Sequence, residues 1–123
     1  MEQKATFKGV IPVLIVEDLD AAMAFYTEKL GFAVTFTSEW EYHGVNREGM
    51  ELHIGKGEPN FTNTRAVNVY FIVENIEALY QEFLDSGAIT SDVQLIEQPY
   101  GARELHLRDP FGYHLGFSEF NQG

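Results

Sequence analysis

His53, Glu104, His106 and His114 are the residues of this chain best suited to chemistry. Three imidazoles and a carboxylate make a plausible ligand set for zinc, iron or nickel if they converge. On a cavity wall the same groups act as hydrogen-bonding partners. The chain has no cysteine, so thiolate chemistry and disulfides are excluded. No glycine-rich phosphate loop, nucleophile elbow or HExxH pattern is present. A second group of residues offers flat surfaces: Phe36, Trp40, Tyr70 and Tyr100. Stacking on such a ring contributes about 0.5–1.5 kcal/mol beyond area burial. A cation held over one adds about 0.5–2 kcal/mol.

These residues need elements to position them. The stretch 97–119, EQPYGARELHLRDPFGYHLGFSE, contains two alternating runs joined by Asp109-Pro110-Phe111-Gly112. Proline presets one turn dihedral and glycine accepts the positive one, which predicts a β-hairpin. Alternation sends Leu105, Leu107, Leu115 and Phe117 one way and Glu104, His106, His114, Gly116 and Ser118 the other. The hairpin is thus expected to be apolar behind and polar in front, as one side of a binding cavity. Upstream, residues 9–16 form an apolar run containing Pro12. Asp18 is placed to cap a helix over 19–30 that stops at Gly31. Strands are predicted over 32–38, 40–46, 50–55 and 68–73. Asn75 is read as a second N-cap, for a helix over 76–86 that stops at Gly87.

The pattern repeats. Ile15-Val16-Glu17-Asp18-Leu19 overlays Ile72-Val73-Glu74-Asn75-Ile76 without a gap, and Gly49 to Ile54 overlays Gly112 to Phe117. Two βαβββ modules follow, about 9–56 and 66–119, joined by a loop over 57–65 within a single domain 1–123. A long period occurring only twice indicates a pseudo-symmetric α+β domain whose curved mixed sheet surrounds a cavity.

Charge narrows the partners. Eight basic and 19 acidic residues give a net charge of −11. Nucleic acid is disfavoured, because phosphate binding needs the opposite sign. An acidic cleft instead concentrates cationic small molecules. No apolar run is long enough to span a membrane and the first residues begin no signal peptide, so a cytoplasmic location is expected.

The paired modules, IPVLIVEDLDAAMAFYTEKLGF and RELHLRDPFGYHLGF resemble the vicinal oxygen chelate superfamily over residues 10–119. EQPYG and RELHLRDPFG are similar to phrases of the glyoxalase/bleomycin resistance family within it. The resemblance implies that the family's metal positions fall at Ile11, His53, Asn68 and Gly116. Isoleucine and glycine offer no ligand atom and an asparagine amide is a poor one, so the family's metal centre is expected to be absent. A metal-free, non-enzymatic binding protein with no cofactor is therefore expected, sequestering a flat cationic antibiotic of the bleomycin type. The alternatives are a metal-dependent lyase, isomerase or dioxygenase with a non-standard site, and a binder of an endogenous metabolite. The expected ligand-binding residues are Phe36, Trp40, His53, Asn68, Tyr70, Tyr100, Arg103, Glu104, His106 and His114. Glu39 and Glu41 are further carboxylates for a positive tail. The resemblance also implies a homodimer with N-terminal strand exchange hinged near Pro12.

Overall fold

The computed structural model describes residues 4–58 and 67–121. Module one runs β1 (Val13–Val16), α1 (Leu19–Ala24), β2 (Ala33–Phe36), β3 (Tyr42–Arg47) and β4 (Met50–Lys56). Module two runs β5 (Asn68–Ile72), α2 (Ile76–Ser86), β6 (Ile96–Gln98), β7 (Ala102–Arg108) and β8 (His114–Phe120). Most of the loop expected over 57–65 lies outside the described residues.

Each module builds its own four-stranded mixed sheet, in the orders β1-β4-β3-β2 and β5-β8-β7-β6. The first pair of each order is parallel and the rest are antiparallel. The registers carry the internal repeat into space. Val13 pairs with His53 in module one, and their counterparts Tyr70 and Gly116 pair in module two.

Alternation along the strands sorts the chain as predicted. Leu14, Val16, Val45, Leu52 and Ile54 of the first sheet are buried. So are Phe71, Leu105, Leu107, Leu115 and Phe117 of the second, and both sets join one core with Tyr26, Phe32 and Phe83. The opposite face of each sheet is left as a polar wall. Two buried tyrosines staple the modules together. The Tyr26 hydroxyl donates to Asp109, and the Tyr113 hydroxyl both donates to the Ile15 carbonyl (2.8 Å) and accepts from its N–H (3.0 Å).

Several local expectations change. The first strand starts only at Val13, one residue after Pro12, whose carbonyl accepts from the His53 N–H. Asp18 does cap α1, accepting from the Ala21 N–H at 2.9 Å. The helix then widens into a π-helical turn, Phe25–Lys29. Asn75 caps nothing with its side chain. It sits in the left-handed region (φ 58°), and the Glu119 carboxylate on β8 accepts from the Asn75 and Ile76 N–H groups instead. Gly87 ends α2 at φ 82°, as predicted.

Candidate functional site

The second wall is the better-developed one. Asn68 and Tyr70 reach it from β5, Glu104 and His106 from β7, and His114 and Gly116 from β8. A continuous hydrogen-bonded row crosses the three strands. The His114 Nδ1 lies 2.6 Å from Asn68 Oδ1, and its Nε2 shares a 2.9 Å hydrogen bond with His106 Nδ1. The His106 Nε2–H donates to Glu104 Oε1 at 2.8 Å. The two imidazoles are stacked, with centroids 5.0 Å apart. Burial, together with electrostatic repulsion from the neighbouring His106 and Arg108, lowers the pKa of His114.

Glu104 anchors this row from below the surface, at 2% exposure. Burial works to raise its pKa, yet donors from Tyr100, Ser118, His106 and Gln98 reverse that and hold it at about 2. The carboxylate is therefore ionised, and it holds its four side-chain donors in place. Tyr100 donates to it at 2.7 Å, and this bond pushes the phenol pKa up to about 12. The Tyr100 ring is thus held, protonated and exposed, at the lip of the wall.

Tyr70 is the wall's open surface. The residue is 50% exposed, and its ring packs in T-shaped contact with His106 and His114, each at a centroid distance of 5.7 Å. It rests on Gly116, where an added Cβ would stand 2.5 Å from the ring. A carboxylate at position 116 would have to evict Tyr70.

The first wall carries a separate ring cluster. Phe36 meets His53 edge-on at 5.1 Å and stacks with Tyr42 at 6.2 Å. The Tyr42 hydroxyl bonds His53 Nδ1 at 2.8 Å, and His53 Nε2–H donates to Glu51 at 3.1 Å. The Asn46 amide, with help from the Thr35 hydroxyl and His53, lowers the Glu51 pKa. An ionised Glu51 only accepts, so His53 carries its proton on Nε2 and accepts from Tyr42.

The expected site residues thus divide. Asn68, Tyr70, Tyr100, Glu104, His106 and His114 come together on the second wall, and Phe36 and His53 on the first. Arg103 belongs to neither. It points to the helix side of β7, paired with Glu77 and with Glu97 at 2.6 Å. Trp40 lies in the turn between β2 and β3, 82% exposed, outside both ring clusters. Glu41 pairs with Lys56 at 3.2 Å. Tyr42, Glu51 and Ser118 were not singled out as binding residues. The tripeptide Glu-Leu-His, present at 51–53 and again at 104–106, is the signal that would have found Glu51. A further cleft of about 450 Å³ lies between the modules, beside Phe32, Met50, Ile72 and the Arg47–Glu82 ion pair. None of the expected site residues lines it.

The residues at the family's metal positions do not fit a metal. Ile11 is apolar, the Asn68 oxygen is engaged by His114, and the space over Gly116 is filled by Tyr70. Among the described residues, no group of three or more histidines and carboxylates has metal-binding geometry.

A family model described as glyoxalase superfamily protein matches residues 2–123. Comparison with curated proteins finds no match. Among solved structures, the chain is similar to the bleomycin-binding protein of bleomycin-producing Streptomyces verticillus in complex with copper(II)-bleomycin. That likeness has 26% identity and a TM-score of 0.76, over 96% of this chain and all of that one. A glyoxalase-related enzyme from Clostridium phytofermentans shares the fold at 23% identity and TM-score 0.77, over 98% of this chain and all of that one. A bleomycin resistance determinant encoded on transposon Tn5 shares it at 21% identity and TM-score 0.78, over 94% of this chain and all of that one. With nearly its whole length matched and both βαβββ modules in place, the chain belongs to the glyoxalase superfamily.

Proposed function

We propose that this protein binds a flat, cationic small molecule of the bleomycin type on the second wall and holds it without chemical turnover. The observation that carries this reading is the Tyr70 ring, half exposed, seated on Gly116 and braced by two histidines. A planar heteroaromatic laid on that ring gains stacking and cation–π attraction together. The net charge of −11 favours the approach of a cation, and Tyr100 closes one end of the platform. Similarity to a bleomycin-binding protein supports the same reading.

The protein acts as a homodimer in the cytoplasm. Residues 4–12 form no strand, and Phe7 stands 99% exposed beside an exposed Val10, an apolar arm suited to a second copy. Strand exchange hinged at Pro12 is the form of dimer proposed. No helix among the described residues is long and apolar enough to cross a membrane.

Isothermal titration with bleomycin tests the function. Saturable binding that weakens about tenfold or more in Tyr70→Ala, with the ligand recovered unmodified, is expected. Stoichiometric zinc, iron or nickel in protein purified without chelator, lost in His53→Ala and His106→Ala, would overturn it in favour of a metal enzyme.

A further inference from the structure

His106 and His114 hydrogen-bond to each other, and each of their four ring nitrogens is engaged in one row. Counting protons along that row gives its charge. Glu104 is ionised and only accepts, so His106 Nε2 carries a proton. The 2.9 Å contact between His106 Nδ1 and His114 Nε2 holds a single proton, since a hydrogen bond needs one donor and one acceptor. At the far end the Asn68 oxygen faces His114 Nδ1 at 2.6 Å, and an amide oxygen only accepts. His114 Nδ1 is therefore protonated as well. Two neutral imidazoles hold one proton fewer than this, so the row carries a single positive charge.

The neutral row differs by one rearrangement. His114 Nδ1 gives up its proton, and the Asn68 side chain turns its amide N–H to that nitrogen. Every proton in the row then points towards Glu104. A further proton on the charged row has no place, because two N–H groups would meet across the 2.9 Å contact. The two histidines thus titrate as a unit that holds one extra proton or none. The groups facing them are Asn68 and Tyr70 from β5, Glu104 and Arg108 from β7, and Ser118 from β8. Tyr100 reaches Glu104 from the preceding turn. Glu104 stays ionised down to about pH 2 and Tyr100 protonated up to about pH 12, whereas histidine titrates between about pH 5 and 8.

Both imidazoles pack against Tyr70, with centroids 5.7 Å from its ring. A cation seated over that ring lies within about 6 Å of its centroid. It would stand about 8 Å from the charge of the row, and at an effective dielectric constant of about 20 that repulsion changes affinity about tenfold or more. We infer that the His106–His114 unit competes with the cation for the second wall: the neutral row admits the cation, and uptake of one proton expels it. The inference rests on the cation-binding reading of that wall. On binding, the row gives its proton to solvent as the cation arrives. Affinity is therefore full above the pKa of the unit and falls as pH drops through it. Burial, then repulsion from His106 and Arg108, lowers the His114 pKa from 6.5, so the fall lies below about pH 6.5. The wall captures its ligand at neutral pH and releases it in acid.

Equilibrium dialysis with ethidium, a planar cation with no group that titrates where histidine does, tests the inference at constant ionic strength. Affinity is expected to fall about tenfold or more from pH 8 to pH 5. The double variant His106→Gln/His114→Gln is expected to lose the pH dependence, whatever its affinity at pH 8. Asn68→Asp, whose carboxylate only accepts from His114, is expected to hold the proton and move the fall to higher pH. In the unaltered chain, the His106 and His114 ring resonances are expected to titrate in a single step that saturating ethidium displaces to lower pH. Ethidium binding that is flat across this range, or that falls equally in the double variant, would overturn the coupling and leave the proposed function standing. Separate histidine titrations unmoved by ethidium would overturn it too. No binding of ethidium or bleomycin at any pH would overturn both readings.

Discussion

Glu104 lies beneath the second wall with four side-chain donors around its carboxylate, and its chemistry governs how the wall responds to acid. Its folded pKa of about 2 lies below the ordinary value of 4.5. The unfolded chain therefore binds the proton more tightly, and Glu104 adds stability that is present above about pH 4.5 and is lost as pH falls towards 2. Urea unfolding of Glu104→Gln should accordingly show a lower midpoint at pH 6 and a smaller further loss in acid than the natural chain, over that window. Asp109 behaves in the opposite sense. Burial raises its pKa despite donors from Tyr26 and the turn backbone, so the fold disfavours its charge. Asp109→Asn should remain folded, because the Tyr26 hydroxyl can turn to accept from the new amide. Asp109→Ala, which strands that hydroxyl in the core, should cost about 1–3 kcal/mol in denaturant titration. At this scale His106, His114, Tyr70 and Glu104 were legible because strand alternation assigns faces by simple parity, while Tyr100, in the turn before β7, was legible only through the EQPYG phrase. Arg103 and Trp40 lie off both walls for physical reasons. Arg103 has the parity of the leucines and meets Glu77 of α2, while Trp40 sits in a turn, where parity has no meaning.

At the scale of elements, α2 shows a tertiary contact doing what a local cap was expected to do. Asn75 is a good capping type, but its left-handed backbone turns the side chain away from the helix N–H groups. The Glu119 carboxylate, 44 residues along the chain, accepts from Asn75 N–H at 3.0 Å and from Ile76 N–H at 3.1 Å. Those backbone bonds lower the Glu119 pKa. Asn75→Gly should leave the thermal midpoint unchanged or slightly raised, since glycine adopts that φ freely. Glu119→Ala should lower it by several degrees. Calorimetry on the two variants separates the local reading from the observed one. The β2 bulge was illegible for the same kind of reason. Val34, Thr35 and Phe36 all suit a strand, and only the pairing with β3 shows which residue faces Gly44. The π-helical turn after α1 likewise follows from packing, with Tyr26 drawn to Asp109 across the module boundary.

For the whole molecule, the repeat of the βα boundary was enough to predict two βαβββ modules, because strand end, cap and helix start recur in one order. The arrangement of those modules was harder to read, since it depends on which faces meet. The apolar faces meet in one core, and each sheet keeps its own polar wall. Size-exclusion chromatography with light scattering should give about twice the 14.0 kDa chain mass, falling to the monomer when residues 1–10 are removed. A net charge of −11 acts over the Debye length, about 10 Å at 0.1 M salt. Affinity for a planar cation should therefore fall as salt rises. The most direct test of the central claim is the side-chain NMR spectrum of the protein during titration with bleomycin. The Tyr70, Tyr100, His106 and His114 resonances are predicted to shift together and saturate at one concentration. Shifts confined to the intermodule cleft around Ile72 and Arg47, or none at the Tyr70 ring, would contradict it.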